Sequence, residues 1–535
     1  MNRFKRPIAL AVGLMTLSGC QTQTSSDPNL DQPLKLAQSA SLVVDEALCT
    51  RDEEKHAEFA VSDRGNLWPR LREGYALPEI DHPRVDTYLK WYGKHPHYME
   101  RVMERGHRYL HYIITRLEEE GLPTELALLP IVESAFDPFA YSHGRASGIW
   151  QFVPATGRQY GLKQNWWYDG RRDIVASTDA AIRYLKYLNE LFDGDWLLAL
   201  ASYNTGQGNV MRRMRANERQ GKPTDFWSLR LPRETQAYVP QLLALSRIVK
   251  NPEQFDLALK PIPDEPYFSI VDVESQIDLA QAAELAQLDL DELYMLNAGY
   301  NRWATDPDGP HQLLVPVDHE EAFRTRLANI DADERIGWRR YRVASGDSLI
   351  TIARRHRTSV DNIKRVNELS SNIIRVGQTL MIPTAKHPSD RYAFSADQRR
   401  ERVQDNSKGA EGSSRVDYKV RPGDSFWTIA KRHGITVGAL TNWNGMAPGD
   451  TLMPGQNLVI WTEQEDLTTA QSDNRSVVRK VSYRVRKGDS LARIASHFNL
   501  SVKDILRWNQ VSPSSYIHPG QSLTLFVDVT ENGGY

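Results

Sequence analysis

Glu133 is the residue with the clearest capacity for chemistry. It stands in an apolar run formed by Leu128, Leu129, Ile131, Val132, Ala135 and Phe136. A carboxyl half-removed from water has its charged form disfavoured, so its pKa rises. It can then hold a proton near neutral pH and deliver it to a leaving oxygen, as glycosidic bond cleavage requires. A loop of small and polar residues comes next, closed by Trp150-Gln151-Phe152.

The elements that must position Glu133 are helical. Apolar residues recur at helical spacing over residues 85–90, 98–119 and 124–134. Gly121 and Pro123 separate the second from the third, Thr124 is the expected N-cap, and Pro130 is expected to kink the third helix. Residues 177–191 carry the stripe Ala181, Tyr184, Leu185, Leu188 and Leu191, and Gly194 stops it. Residues 195–203 form another helix, ended by Asn204-Thr205-Gly206. No strongly alternating strand is evident here, so the region 67–252 is expected to be mainly α.

The C-terminal half is a repeat. Tyr341-Arg-Val-Ala-Ser-Gly-Asp-Ser348, Tyr418-Lys-Val-Arg-Pro-Gly-Asp-Ser425 and Tyr483-Arg-Val-Arg-Lys-Gly-Asp-Ser490 share one opening. Each runs into an Ile-Ala helix, reaches an Asn (Asn367, Asn444, Asn509) and closes with Gly-Gln and an apolar strand. The pattern predicts a strand–helix–helix–strand unit over 339–384, 416–462 and 481–527. Residues 265–330 read either as a degenerate fourth copy or as a helical connector; Leu279, Ala282-Ala283, Leu290, Leu293 and Asn297 fall at matching offsets. Residues 385–415 and 463–480 read as flexible linkers, rich in charged and small polar residues.

At 535 residues the chain is long enough for three or more domains. Its net charge of −2 carries no nucleic-acid signature, and no Cys/His cluster has metal spacing. Arg3, Lys5 and Arg6 precede an apolar stretch too short to span a bilayer, which ends in Leu17-Ser18-Gly19-Cys20. This resembles a bacterial lipobox and implies residues 1–19 as a signal peptide, lipid attachment at Cys20 and a tether over 20–66. Ordinary secretory cleavage is the alternative. In bacterial lipoproteins an Asp after the Cys marks inner-membrane retention, so Gln21 implies the periplasmic face of the outer membrane in a Gram-negative bacterium. Cys49 is the only other cysteine, so with Cys20 acylated the mature chain forms no internal disulfide.

The repeats resemble LysM modules, which bind N-acetylglucosamine-containing glycans such as peptidoglycan. The family's groove lies between the first strand–helix loop and the second helix–strand loop. Carried over, it implies Gly346, Asp347 and Ser348 with residues 372–374, and Gly423, Asp424, Ser425, Gly488, Asp489 and Ser490 in the other copies. Much of this motif also has a structural reading, with Asp and Ser capping the first helix. The first module is notably basic (Arg339, Arg340, Arg342, Arg354, Arg355, Arg357). Attraction to stem-peptide carboxylates and a merely solvated face are both open.

The central region resembles the family 1 lytic transglycosylases, with a goose-lysozyme-like fold; the core motifs fall within 120–240. Glu133-Ser134, Ser147-Gly148-Ile149-Trp150-Gln151-Phe152, Ser202-Tyr203-Asn204-Thr205-Gly206 and Glu234-Thr235-Gln236-Ala237-Tyr238-Val239 stand in family order. The fold class implied is a multidomain chain, a mainly α lysozyme-like catalytic domain followed by small α+β (βααβ) LysM modules. The activity implied is non-hydrolytic cleavage of the β-1,4 bond between N-acetylmuramic acid and N-acetylglucosamine, leaving 1,6-anhydromuramoyl ends. Glu133 would serve as acid and then base, with no cofactor and no metal. Ser134, Ser142, Gln151, Tyr203, Asn204 and Tyr238 are the expected substrate-side residues. Trp150, Trp166, Trp167 and Tyr168 are read as sugar-stacking candidates or as core.

Two other readings stay open. A muramidase hydrolase needs a second carboxylate facing Glu133, about 5–5.5 Å away if retaining and about 6.5–9.5 Å if inverting. Asp137, Asp169 and Asp173 are the acids to check. An inactive tether gripping peptidoglycan is the third. Peptidoglycan strands and a membrane, through Cys20, are the expected partners; protein partners are not indicated.

Overall fold

The computed structural model describes residues 65–463, 478–485, 489–491, 494–495, 500, 502–509, 517–518 and 520–528. Cys20, Cys49, Gly488 and the basic-apolar leader lie outside the described residues. The chain divides into two compact units. Among the described residues, the first joins 65–408 to 417–460, and the second joins 409–416 to the residues described from 461 on.

The first unit opens with helices α1 (Leu67–Glu73), α2 (Pro83–Gly93) and α3 (Pro96–Glu119). α3 buries Met99, Val102, Met103, Gly106, Tyr109, Leu110, Ile113, Ile114 and Leu117, an apolar stripe at three- and four-residue steps. A 3-10 turn (Thr124–Leu128) leads into α4 (Leu129–Ser134), which carries Glu133. After a loop come α5 (Pro154–Gln159), α6 (Ile174–Leu191), α7 (Trp196–Thr205), α8 (Gln207–Glu218) and α9 (Arg233–Lys250). Asp173 caps α6 through Ala176 N, and Asp195 caps α7 through Leu197 N and Leu198 N. α7 is buried on nearly every side, from Leu197 to Ser202, so it forms the centre of the helical core.

The single helix expected over 124–134 is instead two elements. Pro130 falls in the first turn of α4, where its missing N–H breaks no helical bond, so no kink results. Thr124 is not a cap; its Oγ1 donates to Leu71 O at 2.6 Å.

The segment after α9 forms a small unit: β1 (Phe268–Asp272), α10 (Leu279–Ala286), α11 (Leu290–Leu296), β2 (Gln312–Pro316) and α12 (Val317–Leu327). β1 and β2 pair antiparallel with Ile270 opposite Leu314. Trp167 and Tyr168 from the α5–α6 loop are buried in this unit's core, with Tyr392 and Phe394. It is also locked to α3: Arg108 pairs with Glu292 at 2.8 Å and Tyr109 OH donates to Met295 O at 3.0 Å.

Repeat 1 consists of β3 (Gly337–Arg342), α13 (Leu349–Arg355), α14 (Val360–Val366) and β4 (Thr379–Thr384). Residues 385–415, read as a flexible linker, hold a 3-10 turn at Ser389–Arg391 and helix α15 (Ala396–Asn406). Ser395 caps α15 through Gln398 N, Tyr392 and Phe394 anchor its start in the core, and Phe394 stacks on Phe139 at 5.1 Å. Repeat 2 comes next with β5 (Ser413–Lys419), α16 (Phe426–Arg432), α17 (Val437–Trp443) and β6 (Asn457–Glu463); β5 pairs with β6. In repeat 3, β7 (Val478–Arg484) pairs antiparallel with β8 (Ser522–Asp528), and α18 (Val502–Asn509) lies between them in sequence.

The repeated Asn is a clasp. Asn367 Nδ2 donates to Ile363 O and Met381 O, while its Oδ1 accepts from Met381 N. Asn444 and Asn509 make the same three bonds. Asn297 repeats them with Leu293 and Leu314. Asn444→Ala would leave the Val459 N–H and C=O buried without partners. A loss of about 2–4 kcal/mol is expected, read as an earlier denaturant midpoint with weaker sacculus binding. An unchanged midpoint would contradict the clasp.

Candidate functional site

The turn after Glu133 fixes its position. α4 ends on Ala135 in the left-handed region (φ 51°), and Phe136 is there too (φ 57°). This costs a non-glycine residue about 1–2 kcal/mol, and packing offsets it: the Phe136 ring is fully buried against α3 at Gly106. A Cβ on Gly106 would lie 2.8 Å from that ring, so only glycine lets the turn seat. Ser134 Oγ donates to Pro130 O (3.2 Å) and Ile149 O (3.1 Å), tying α4 to the loop across from it.

The loop of residues 137–152 forms the wall beside the acid. Gly148 N donates to Ala140 O at 3.0 Å, and Gln151 Nε2 to Gly148 O at 2.8 Å. Gln151 itself holds a positive φ of 48°. Ser142 Oγ accepts from Ala146 N at 3.0 Å. Arg171 holds the loop from behind: its Nη1 donates to Arg145 O (2.6 Å) and Phe152 O (3.2 Å), while Asp169 takes its remaining N–H groups.

Two tyrosines meet this wall, in roles the motifs do not separate. Tyr238 OH, from α9, donates to Glu133 Oε1 in a short hydrogen bond. Tyr203 OH, from the end of α7, donates to Trp150 O at 2.9 Å. Tyr238 therefore orients the acid directly, and Tyr203 braces the loop. Asn204 joins the two helices: its Oδ1 accepts from Thr235 Oγ1 (2.7 Å), and its Nδ2 donates to Glu234 Oε1 (3.3 Å). Sequence reasoning assigns no role to Glu234 or Thr235. Glu234 lies four residues before Tyr238, on the same helix face, and that spacing is the signal that could have found it.

Burial pushes the Glu133 carboxyl up to about 8. The Tyr238 hydrogen bond opposes the rise and the Glu234 charge adds to it. The carboxyl is thus protonated at neutral pH, the state a general acid needs. Tyr238→Phe removes the interaction that favours the ionised form, so the alkaline limb of the pH–rate profile should move above pH 8 and kcat fall about tenfold. A limb that moved to lower pH would contradict this bond.

The acids considered as a second carboxylate are engaged elsewhere. Asp137 accepts from Phe139 N at 2.8 Å, and its burial raises it. Burial would raise Asp169, but Arg172 and Arg171 outweigh it and hold the group below the usual carboxylate range. Asp173 caps α6. Glu234 is the carboxylate whose charge bears on Glu133. Among the described residues, no His, Cys, Asp and Glu group could hold a metal ion.

The aromatic candidates are mostly structural. Trp150 is fully buried and donates to Thr178 Oγ1 at 2.9 Å. Trp167 Nε1 donates to Ser359 Oγ of repeat 1 at 3.2 Å, and Arg302 lies over the Trp166 ring at 4.1 Å.

In the repeats, Asp347 accepts from Tyr341 OH (2.6 Å) and Ala344 N (2.8 Å), and Ser348 forms a capping box with Thr351. Asp424 and Ser425 do the same with Tyr418, Arg421 and Thr428. Asp489 accepts from Tyr483 OH at 2.8 Å. Gly346 and Gly423 hold positive φ in these turns. These side chains are spent on the module itself. The exposed apolar residues beside them are Ile350, Ile373 and Val376 in repeat 1 and Trp427 and Met453 in repeat 2.

Comparison with known proteins identifies the domains along the chain. The Transglycosylase SLT domain matches residues 112–226, and the LysM-like domain of lytic transglycosylase MltD matches 267–332. The LysM domain matches 341–383, 418–461 and 483–526. Membrane-bound lytic murein transglycosylase D of Escherichia coli is 35% identical over 468 residues, covering 88% of this chain and 87% of that one. The autolysin of Enterococcus faecalis is 29% identical over 199 residues, 36% of this chain and 25% of its own. Among solved structures, the Bacillus cereus spore cortex-lytic enzyme SleL covers 21% of this chain and 22% of its own at 30% identity, with a TM-score of 0.10. The identity that runs through catalytic region and repeats alike makes the chain a member of the membrane-bound lytic murein transglycosylase D family, a peptidoglycan lytic transglycosylase with LysM peptidoglycan-binding modules.

Proposed function

We propose that Glu133 is the single acid and base of this cleavage. Protonated Glu133 donates to the oxygen linking N-acetylmuramic acid to N-acetylglucosamine. The glycosidic bond breaks and the muramoyl C1 becomes electron-poor. The muramoyl 6-hydroxyl closes onto C1, and Glu133, now ionised, takes the hydroxyl proton. The proton lost in the first step is regained in the second, no water is consumed, and the product is a 1,6-anhydromuramoyl end. The observation that carries the reading is a carboxyl raised to about 8 by burial, with one phenol donor on it. Ser134, Ser142, Gln151, Tyr203 and Asn204 shape the wall and floor of the cleft around it; Tyr238 sets the acid's orientation.

The LysM modules keep the enzyme on its polymer, through the apolar residues that flank the Gly-Asp-Ser turns. Exposed Trp427 is suited to stack on a sugar face. The relatives' membrane-bound name and the Leu17-Ser18-Gly19-Cys20 motif support lipid anchoring at Cys20 on the periplasmic face of the outer membrane. No helix among the described residues is long and apolar enough to cross a membrane. The test is loss of turbidity from a purified sacculus suspension, with labelled fatty acid incorporated into the chain in cells. An intact suspension would overturn the enzyme reading in favour of a tether. Unchanged labelling of Cys20→Ser would overturn the anchor.

A further inference from the structure

We propose that Asp450 of the second LysM module is a positioning residue for the cleavage, holding the loop beside Glu133 in its working shape. The proposal rests on the reading of Glu133 as acid and base. Asp450 divides its carboxylate between its own loop and the loop beside Glu133. Oδ2 accepts from Ala447 N of its own loop at 2.9 Å. Oδ1 accepts from Tyr141 OH at 2.7 Å and pairs with Arg145 Nε at 2.9 Å. The Asp450 side chain is 17% exposed and the Arg145 side chain 41%, so the carboxylate is largely covered while the guanidinium reaches solvent.

The partners on the other side belong to the loop that lines the acid. Arg145 holds a left-handed φ of 66°, a conformation that arginine adopts only when its surroundings enforce it. The turn itself sets it, with Arg145 N donating to Ser142 O at 2.8 Å and Ser142 N to Ala146 O at 2.9 Å; Arg171 Nη1 on its carbonyl and Asp450 beside its guanidinium hold the turn from either side. Ser142 and Ala146 bond to each other around that residue, and the same loop runs on through Gly148 to Ile149 and Trp150, whose carbonyls accept from Ser134 and Tyr203. Gly449 lies against the Arg145 side chain; a Cβ there would be 3.2 Å from Arg145 Cδ.

The repeat alignment makes this specific to module 2. Asp450 stands five residues before Gly455-Gln456. The same position is Asn372 in module 1 and Ser515 in module 3. Only module 2 carries an acid there, on the segment the LysM resemblance assigns to glycan contact. Module 2 thus turns this edge toward the catalytic loop, and a glycan seated on the module bears on the loop's anchor.

The test uses the full chain on purified sacculi. Asp450→Asn keeps the size but offers one oxygen, which cannot serve both Ala447 N and the Tyr141–Arg145 pair. The expected result is a kcat about tenfold lower with KM and sacculus binding within about twofold of the parent. Tyr141→Phe, a milder change, should lower kcat in the same direction by a smaller factor. Unchanged kcat in Asp450→Asn, or a rise in KM alone, would overturn the proposal. Failure of the parent chain to release anhydromuramoyl products would overturn the underlying catalytic reading instead.

Discussion

Glu133→Gln is expected to lower kcat on purified sacculi about ten-thousand-fold while raising the stability of the fold at alkaline pH. The kinetic loss arises because one group serves both proton transfers, and a positioned acid or base contributes about 10²–10⁴-fold. The stability gain comes from linkage. The folded carboxyl titrates at about 8 and an unburied one at its usual 4.5. Between those values the folded chain holds a proton that the unfolded chain has released. Each pH unit across that window therefore weakens the fold by about 1.4 kcal/mol, and the full cost is present above pH 8. A neutral amide carries no such cost. The variant should match the parent near pH 4 and exceed it by roughly 2–5 kcal/mol at pH 8.5. Denaturant midpoints at the two pH values measure this. A variant destabilised at both would mean that the carboxyl is a structural group.

Gly148→Ala should be the most damaging single-methyl change in the catalytic region. Gly148 has φ 81°, and a Cβ there would lie 2.0 Å from the Arg171 carbonyl oxygen and 3.0 Å from Arg172 Cα. The obstacle is backbone, so no rotamer change relieves it. Arg171 cannot retreat without releasing Asp169, Arg145 O and Phe152 O. The expected cost is about 4 kcal/mol or more, with activity lost through the displaced loop. Thermal unfolding monitored together with sacculus clearance reads both effects. A stable and active Gly148→Ala enzyme would show that the loop has room the structure denies it.

Much of this was legible in the sequence, because the informative residues are bound by local rules. A lone acid in an apolar helix, the helical apolar stripes over 98–119 and 177–191, and a Tyr/Gly-Asp-Ser/Asn/Gly-Gln repeat all express short-range constraints. The repeat even survives in residues 267–332, where the opening is gone but Asn297 still clasps its strand. The features that stayed hidden depend on contacts between distant segments. Tyr203 and Tyr238 look alike in their motifs, and only packing decides which one reaches the acid. Trp167 and Tyr168 resemble a sugar platform until the unit around β1 and β2 covers them. Residues 385–415 read as linker because α15 is highly polar; its order comes from Tyr392 and Phe394, two aromatics too sparse to form a stripe. Asp450 reads as an ordinary loop acid until Tyr141 and Arg145 are seen against it.

The most direct measurement is mass spectrometry of muropeptides released from purified sacculi by the full chain in oxygen-18-labelled water. With Glu133 as sole acid and base, the products end in 1,6-anhydromuramoyl groups, lighter than hydrolytic products by one water and free of label. They disappear with Glu133→Gln. Reducing ends carrying the heavy oxygen would contradict the account, since water would then be the nucleophile and Glu234 the carboxylate that must activate it.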